Sequence, residues 1–198
     1  MDQTLGIIGG SGLYQIKGFQ QEEVVEVETP FGAPSAPLRI GRIGNTRVVF
    51  LPRHGEGHTT SPTAIPYQAN GYALKKVGVD AILSVSAVGS LKEEYPPGTM
   101  ILVDQFIDRT VTRPRTFFSD GVVAHVAFGE PTCPKLASAV ANAVKSAGLD
   151  VIEGGTYVCI EGPQFSTKAE SHMFRSWNAT VVGMTNVPEA RLAREAEL

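Results

Sequence analysis

From Ala81 onward, short apolar runs of strand length alternate with stretches of helical period, and this alternation constrains the fold more than any other feature of the chain. Ala81–Val85 reads as a buried strand, and so does Met100–Val103 after the Pro96-Pro97-Gly98 turn. Pro134–Ala147 carries apolar residues at helical spacing and is closed by Gly148. Gly155–Ile160 and Ala179–Met184 read as two further strands, with a helix over Thr167–Trp177 between them. Such alternation predicts an α/β sheet with helices on its faces.

The N-terminal part fits the same plan. Leu5–Ile8 is an apolar run that stops at Gly9-Gly10-Ser11-Gly12, a buried strand entering a tight glycine turn. Residues 21–29 alternate charged and aliphatic side chains, as a half-exposed strand does. Leu38–Ile43 and Arg47–Leu51 form a predicted hairpin about Gly44-Asn45. A helix is predicted over Thr63–Val77 with Gly78 as its stop. Pro188–Leu198 has a helical pattern that runs to the last residue without a glycine or asparagine cap, so the polypeptide is expected to be cut short relative to its functional form.

At 198 residues with 42% hydrophobic and 19% charged residues, the chain suffices for one substantial core, and residues 1–198 are expected to form a single domain. A formal net charge of −3 supplies no basic field for nucleic acid or an acidic membrane, so the expected partner is a small molecule. Cys133 and Cys159 form no C-x-x-C pair, and reduced thiols in the cytoplasm are the simpler expectation. The start MDQTLGIIGGSG lacks the charge and apolar length of a signal peptide, and no run reaches membrane-spanning length.

Candidate chemistry gathers at strand ends. In Gly9-Gly10-Ser11-Gly12, backbone N–H groups and a hydroxyl can converge on an anion without Cβ interference, although a plain tight turn reads the same way. It is neither the dinucleotide fingerprint, whose third glycine would fall on Gln15, nor a P-loop, which needs a lysine. Arg53-His54-Gly55 follows the Val48–Leu51 strand, where open α/β sheets bind ligands, and arginine offers a donor fork matched to phosphate. A surface arginine beside a loop histidine is the plain alternative. Ser84–Ser90 sets hydroxyls and small residues at another strand end, and Gly183–Glu189 does so again. Phe165, in Glu161-Gly162-Pro163-Gln164-Phe165, offers a face for a planar base, or is simply core. His54 and His58 are separated by a poor helix former, Gly55-Glu56-Gly57, and no ligand cluster completes a metal site; no G-x-S-x-G elbow occurs either. Together these loops suit one anion plus one neutral organic ligand.

Several runs resemble methylthioadenosine phosphorylases of the trimeric purine nucleoside phosphorylase family. They are Gly6–Leu13, Thr29-Pro30-Phe31-Gly32, Pro52-Arg53-His54-Gly55, Tyr67-Gln68-Ala69-Asn70, Ala87–Leu91, Asp104–Thr110, Ile160–Ser166 and Met184–Glu189, in the family's order across essentially the whole chain. The resemblance implies an α/β fold with a mixed central sheet forming a distorted barrel with flanking helices, a homotrimer, and phosphorolysis of 5′-methylthioadenosine to adenine and 5-methylthioribose 1-phosphate. It implies phosphate as co-substrate and neither metal nor organic cofactor. Ser11, Arg53, His54, Ser86, Ala87 and Thr185 would hold phosphate, with Ser11, Arg53 and His54 the catalytic set. Met184 would line the ribose through its backbone, Phe165 would pack on the purine, and His125 would sit near the 5′ end of the sugar. Ser166 stands where phosphorylases of inosine and guanosine carry a base-binding glutamate, which favours methylthioadenosine. Family members continue beyond Leu198 into a strand whose aspartates contact the purine and a helix over the 5′ substituent. The alternatives are therefore a phosphorylase of inosine, guanosine or methylthioinosine, an inactive chain that binds phosphate or nucleoside or joins full-length subunits, and, more distantly, a flavodoxin-like sugar-phosphate binder.

Overall fold

The computed structural model describes residues 3–10, 13, 16–119 and 121–198. Among these residues the hydrogen-bonded strands fall into three groups. The largest has the order β2-β3-β4-β1-β5, built from β1 (Thr4–Gly9), β2 (Phe19–Val25), β3 (Leu38–Ile43), β4 (Thr46–Pro52) and β5 (Ala81–Ser84). β1 runs parallel to β4 and β5, whereas β3 is antiparallel to β2 and β4. The second has the order β6-β11-β10-β8, with β6 (Gly89–Ser90), β8 (Gln105–Arg109), β10 (Thr156–Ile160) and β11 (Val181–Gly183). β7 (Met100–Leu102) and β9 (Val151–Glu153) pair in parallel as a small third sheet. The mixed α/β architecture is the expected one, although no ring of strands closes among the described residues.

The apolar pattern explains the layers. β1 and β4 are buried on both faces, as parallel central strands are. Ile8, Val49 and Leu51 point to one side, where they pack with Leu38, Ile40 and the α1 residues Ala73 and Leu74; Ile7, Val48 and Phe50 point to the other. In the second sheet Val158 faces Phe174 and Leu91, while its neighbours Tyr157 and Cys159 face Val181 and Val187.

Among the described residues four α-helices flank the sheets: α1 (Tyr67–Lys76), α2 (Pro134–Ser146), α3 (Lys168–Ser176) and α4 (Asn186–Glu195). The helix predicted from Thr63 is instead a 3₁₀ turn at Pro62–Ala64 followed by α1. Pro66 lacks an N–H and forces Ile65 to ψ 128°, which interrupts the helix. At α3 Thr167 and Glu170 form a reciprocal capping box.

All four helices close alike. The second residue past the C-cap bonds back five residues and the first is left-handed: Gly78 (φ 82°), Gly148 (φ 76°), Asn178 (φ 59°) and Glu197 (φ 56°). α4 therefore does not run uncapped to the last residue: the Leu198 and Glu197 N–H groups donate to the Ala193 and Arg194 carbonyls. A glutamate takes the position that glycine usually holds, and Leu198 packs on the core of the five-stranded sheet. β8 and β9 were not anticipated, and the strand expected over residues 21–29 lies at Phe19–Val25, with an irregularity between Gln21 and Glu23.

Candidate active site

A cleft of about 960 Å³ opens between the carboxyl ends of β1, β4 and β5 and those of β10 and β11. Gly10, Arg53, His54, Ser86 and Ala87 line one part, Met184 and Thr185 face them from β11, and Phe165 stands at the rim, 89% exposed. Thus Arg53, His54, Ser86, Ala87, Phe165, Met184 and Thr185 are brought together as the sequence suggests. Ser11 lies outside the described residues. His125 is not brought to this cleft; it is exposed on the segment between β8 and α2. A smaller hollow of about 450 Å³ beside Lys17, Phe19 and Arg39 contains none of these residues.

Arg53 follows directly on β4 and is 1% exposed. Its Nε donates to Glu189 Oε1 at 2.8 Å and its Nη2 to Glu189 Oε2 at 3.1 Å, a bidentate pair. Nη2 also reaches Ser84 Oγ and the Ile8 carbonyl, and Nη1 donates to the Val85 carbonyl at 2.9 Å. Ser84 Oγ in turn donates to Glu189. One edge of the fork is therefore committed to the protein, and among the described residues only the second N–H of Nη1 is left for a ligand. Burial opposes the guanidinium charge, but the Glu189 carboxylate outweighs it, and the Arg53 pKa stands above its ordinary value.

His54 donates from Nδ1 to the Thr60 carbonyl at 2.8 Å, because a carbonyl can only accept. Its ring stacks on His58 with centroids 4.1 Å apart, so the two rings do share a face although no helix joins them. Burial, with the neighbouring His58 and Arg53, lowers its pKa against the pull of the Thr60 carbonyl. His54 is then neutral at pH 7 and presents Nε2 as an acceptor. Among the described residues no group of three or more His, Cys, Asp or Glu is arranged to hold a metal.

On the opposite wall, Thr185 N–H donates to Tyr157 Oη at 3.3 Å, and Thr185 Oγ1 is buried without a partner among the described groups. An orphaned buried hydroxyl beside a cleft costs free energy unless a ligand satisfies it. Met184 is held from behind: Arg113 Nη1 donates to its carbonyl, to that of Val187 and to Tyr67 Oη. Arg113 also binds the Glu161 carboxylate and carbonyl, tying the ends of β10 and β11 together. Glu161 accepts as well from Thr63 Oγ1 and the Val111 and Thr112 N–H groups. Burial pushes the Glu161 carboxyl up, but these donors outweigh it and lower its pKa to about 2.

The donor set, the neutral histidine and the orphaned hydroxyl suit an oxyanion beside an apolar ledge. The Phosphorylase superfamily model matches residues 4–198. The chain belongs to the phosphorylase superfamily. Within it, S-methyl-5′-thioadenosine phosphorylase of Geobacter sulfurreducens is 55% identical over all of this chain and 70% of its own length. The enzyme of that name from Koribacter versatilis is 54% identical, again over the whole chain and 68% of its own. Among solved structures, a methylthioadenosine phosphorylase from an Antarctic soil metagenomic library superposes with a TM-score of 0.92 at 50% identity, covering 97% of this chain and 68% of that one. Methylthioadenosine phosphorylase from Schistosoma mansoni in complex with tubercidin gives 0.95 at 36% identity, covering 98% and 76%. The chain resembles these superfamily members throughout its length.

Glu189, Arg113, Tyr157 and Asn186 were not assigned roles from the sequence. One signal for the first was available. A buried arginine needs a counterion, and Glu189 lies in the same run as Thr185.

Proposed function

We propose that the chain is a pentosyltransferase that splits 5′-methylthioadenosine with inorganic phosphate, releasing adenine and 5-methylthioribose 1-phosphate, a salvage reaction of the cytoplasm. The observation that carries this reading is the meeting of Arg53, His54, Ser86, Ala87 and Thr185 at one cleft in a chain so similar to enzymes of that name. Phosphate occupies that end, where Thr185 Oγ1 and the free Nη1 N–H of Arg53 donate to it and His54 Nε2 accepts from a protonated oxygen.

Chemically, a phosphate oxygen forms a bond to the anomeric carbon as the carbon–nitrogen bond to the purine breaks. The electron pair leaves with the purine nitrogen, which takes up a proton. Positive charge on the sugar peaks between the two events, and the adjacent phosphate stabilises it. Met184 lines the ribose through its backbone, and Phe165 offers its exposed face to the base. No cofactor enters this scheme.

The assembly we propose is a homotrimer. Its support is the apolar exposure of Val111 at 78%, Val122 at 62% and Val123 at 76%, the kind of surface that a neighbouring subunit covers.

Adenine release from 5′-methylthioadenosine, measured with and without phosphate beside adenosine, inosine and methylthioinosine, tests the reading. Phosphate-dependent release with methylthioadenosine preferred is expected. Release independent of phosphate, or from none of the four nucleosides, refutes it.

A further inference from the structure

We infer that Arg113, which does not line the cleft, is a positioning residue for both substrates: its guanidinium sets the Met184–Thr185 peptide, where the proposed sugar and phosphate contacts meet. The inference rests on the reading proposed above and deepens it.

Arg113 lies between β8 and α2, and its side chain is fully buried. Nε donates to Glu161 Oε1 at 3.1 Å, and Nη2 to the Glu161 and Ile160 carbonyls at 2.6 and 3.4 Å. Nη1 donates to the Met184 carbonyl, to Tyr67 Oη at 2.9 Å and to the Val187 carbonyl at 3.1 Å. These acceptors use every N–H that a guanidinium offers. Arg113 therefore acts on a ligand through what it holds, not by touching it.

What it holds is the end of two parallel strands beside the cleft. Ile160 and Glu161 close β10, and Met184 follows β11. Carbonyl oxygens that converge repel one another, and a cation among them offsets that repulsion. The Met184–Thr185 peptide is gripped on both edges. C=O and N–H point opposite ways in a trans peptide. Here the carbonyl meets Arg113, and the Thr185 N–H meets Tyr157 Oη at 3.3 Å. The Met184 side chain is confined as well, since a Cβ on Gly162 would lie 2.6 Å from its Sδ. Gly162 directly follows Glu161, so one guanidinium fixes both the peptide and the wall on which Met184 packs. The peptide in turn aims Thr185 Oγ1, buried without a partner among the described groups, and presents Met184 to the cleft. Turning its plane moves the phosphate contact and the ribose contact together.

The experiment compares the full chain with Arg113→Lys, which keeps a positive charge beside Glu161 but loses the planar fork. Glu161→Asp is the milder second variant: both charges stay, and the shorter side chain draws the guanidinium back. Val158→Ala, a truncation on the opposite face of β10, is the control for general loosening. Phosphorolysis is measured with each substrate varied, and inorganic phosphate is titrated calorimetrically into each protein. A merely structural loss lowers the amount of active protein, and so the apparent kcat, while KM stays put. Instead, the phosphate Kd and both KM values are expected to rise about tenfold in Arg113→Lys and about threefold in Glu161→Asp, with kcat within about threefold. Val158→Ala is expected to lower Tm while Kd and both KM values stay within about twofold of native. If Arg113→Lys does not fold, Glu161→Asp decides alone. A fall in kcat with both KM values unchanged, or a rise for one substrate only, overturns the inference and leaves the phosphorylase reading standing. Equal rises in Val158→Ala also overturn it. No phosphate-dependent adenine release by the native chain overturns both readings.

Discussion

The Arg53–Glu189 pair allows stability and ligand binding to be separated. Both partners are nearly buried, with side chains 1% and 8% exposed, and two hydrogen bonds join them. In Glu189→Gln the shape is kept, but a buried guanidinium loses its only nearby counter-charge among the described groups. Removing one member of a buried pair costs about 3–5 kcal/mol, because the other charge is left uncompensated. For a chain of this size each kcal/mol shifts Tm by about 2–4 °C, so a fall of roughly 6–20 °C is expected. Arg53→Met alone strands the carboxylate and should cost a similar amount. The double variant removes both charges, and its loss should fall short of the sum by at least ~2 kcal/mol. Urea unfolding of the four proteins measures this coupling. Phosphate affinity should not recover in the double variant, since the Arg53 donor is gone. Additive losses within about 0.5 kcal/mol, or recovery of phosphate binding with stability, would refute the reasoning.

Other consequences follow from the titrating and reactive groups. Glu161 has a folded-state pKa of about 2, below the ordinary carboxylate value, so its contribution is complete above about pH 4.5 and disappears as the pH falls toward 2. The stability difference between native protein and Glu161→Gln should shrink over that window in acid unfolding curves, and a difference independent of pH would contradict the assignment. His54 is shifted downward, so the unfolded chain binds the proton more readily and His54 favours folding less as the pH drops through the ordinary imidazole range. Its NMR titration midpoint is expected below that of a model imidazole; a midpoint at or above it would be inconsistent with a neutral ring in the cleft. Cys159 is fully buried, donates Sγ–H to the Val187 carbonyl at 3.2 Å and has its pKa raised to about 11 by burial, whereas Cys133 is exposed. A thiol reagent at pH 8 should label one cysteine per native chain, and rapid labelling of both would show that the core around β10 is open.

The folded elements were legible where a local cause sets them. β1 is announced by an apolar run and glycines, α2 by an N-terminal proline and Gly148, and α3 by the Thr167–Glu170 box. β8 was hidden because Gln105–Arg109 mixes polar and apolar residues, and pairing with β10 defines it as a strand. The end of α4 was misread because Glu197 carries no turn signature; packing of Leu198 on the core holds it in the left-handed region. In the cleft, the residues lying on strand ends were visible, since topology alone delivers them there. Their partners were not: Arg53 and Glu189 are 136 positions apart, and Arg113 reaches Met184 across 71. Such pairings are created by folding, and no spacing in the sequence encodes them.

Those long-range partners bear directly on the chemistry. An arginine wholly free to face phosphate would neutralise part of the charge on which a positively charged sugar depends. Here Glu189 takes one edge of Arg53, and burial lowers the His54 pKa, so the charges of Arg53, Glu189 and His54 sum to about zero. Phosphate in the proposed reaction is then held mainly by a hydroxyl and one guanidinium N–H. Such donors fix its position without cancelling its field, which in a partly buried cleft is felt more strongly than in water. The same arrangement explains why the Arg53–Glu189 pair belongs to both stability and function. It links the end of β4 in one sheet to a residue beyond β11 in the other, at the end of the cleft proposed to hold the anion.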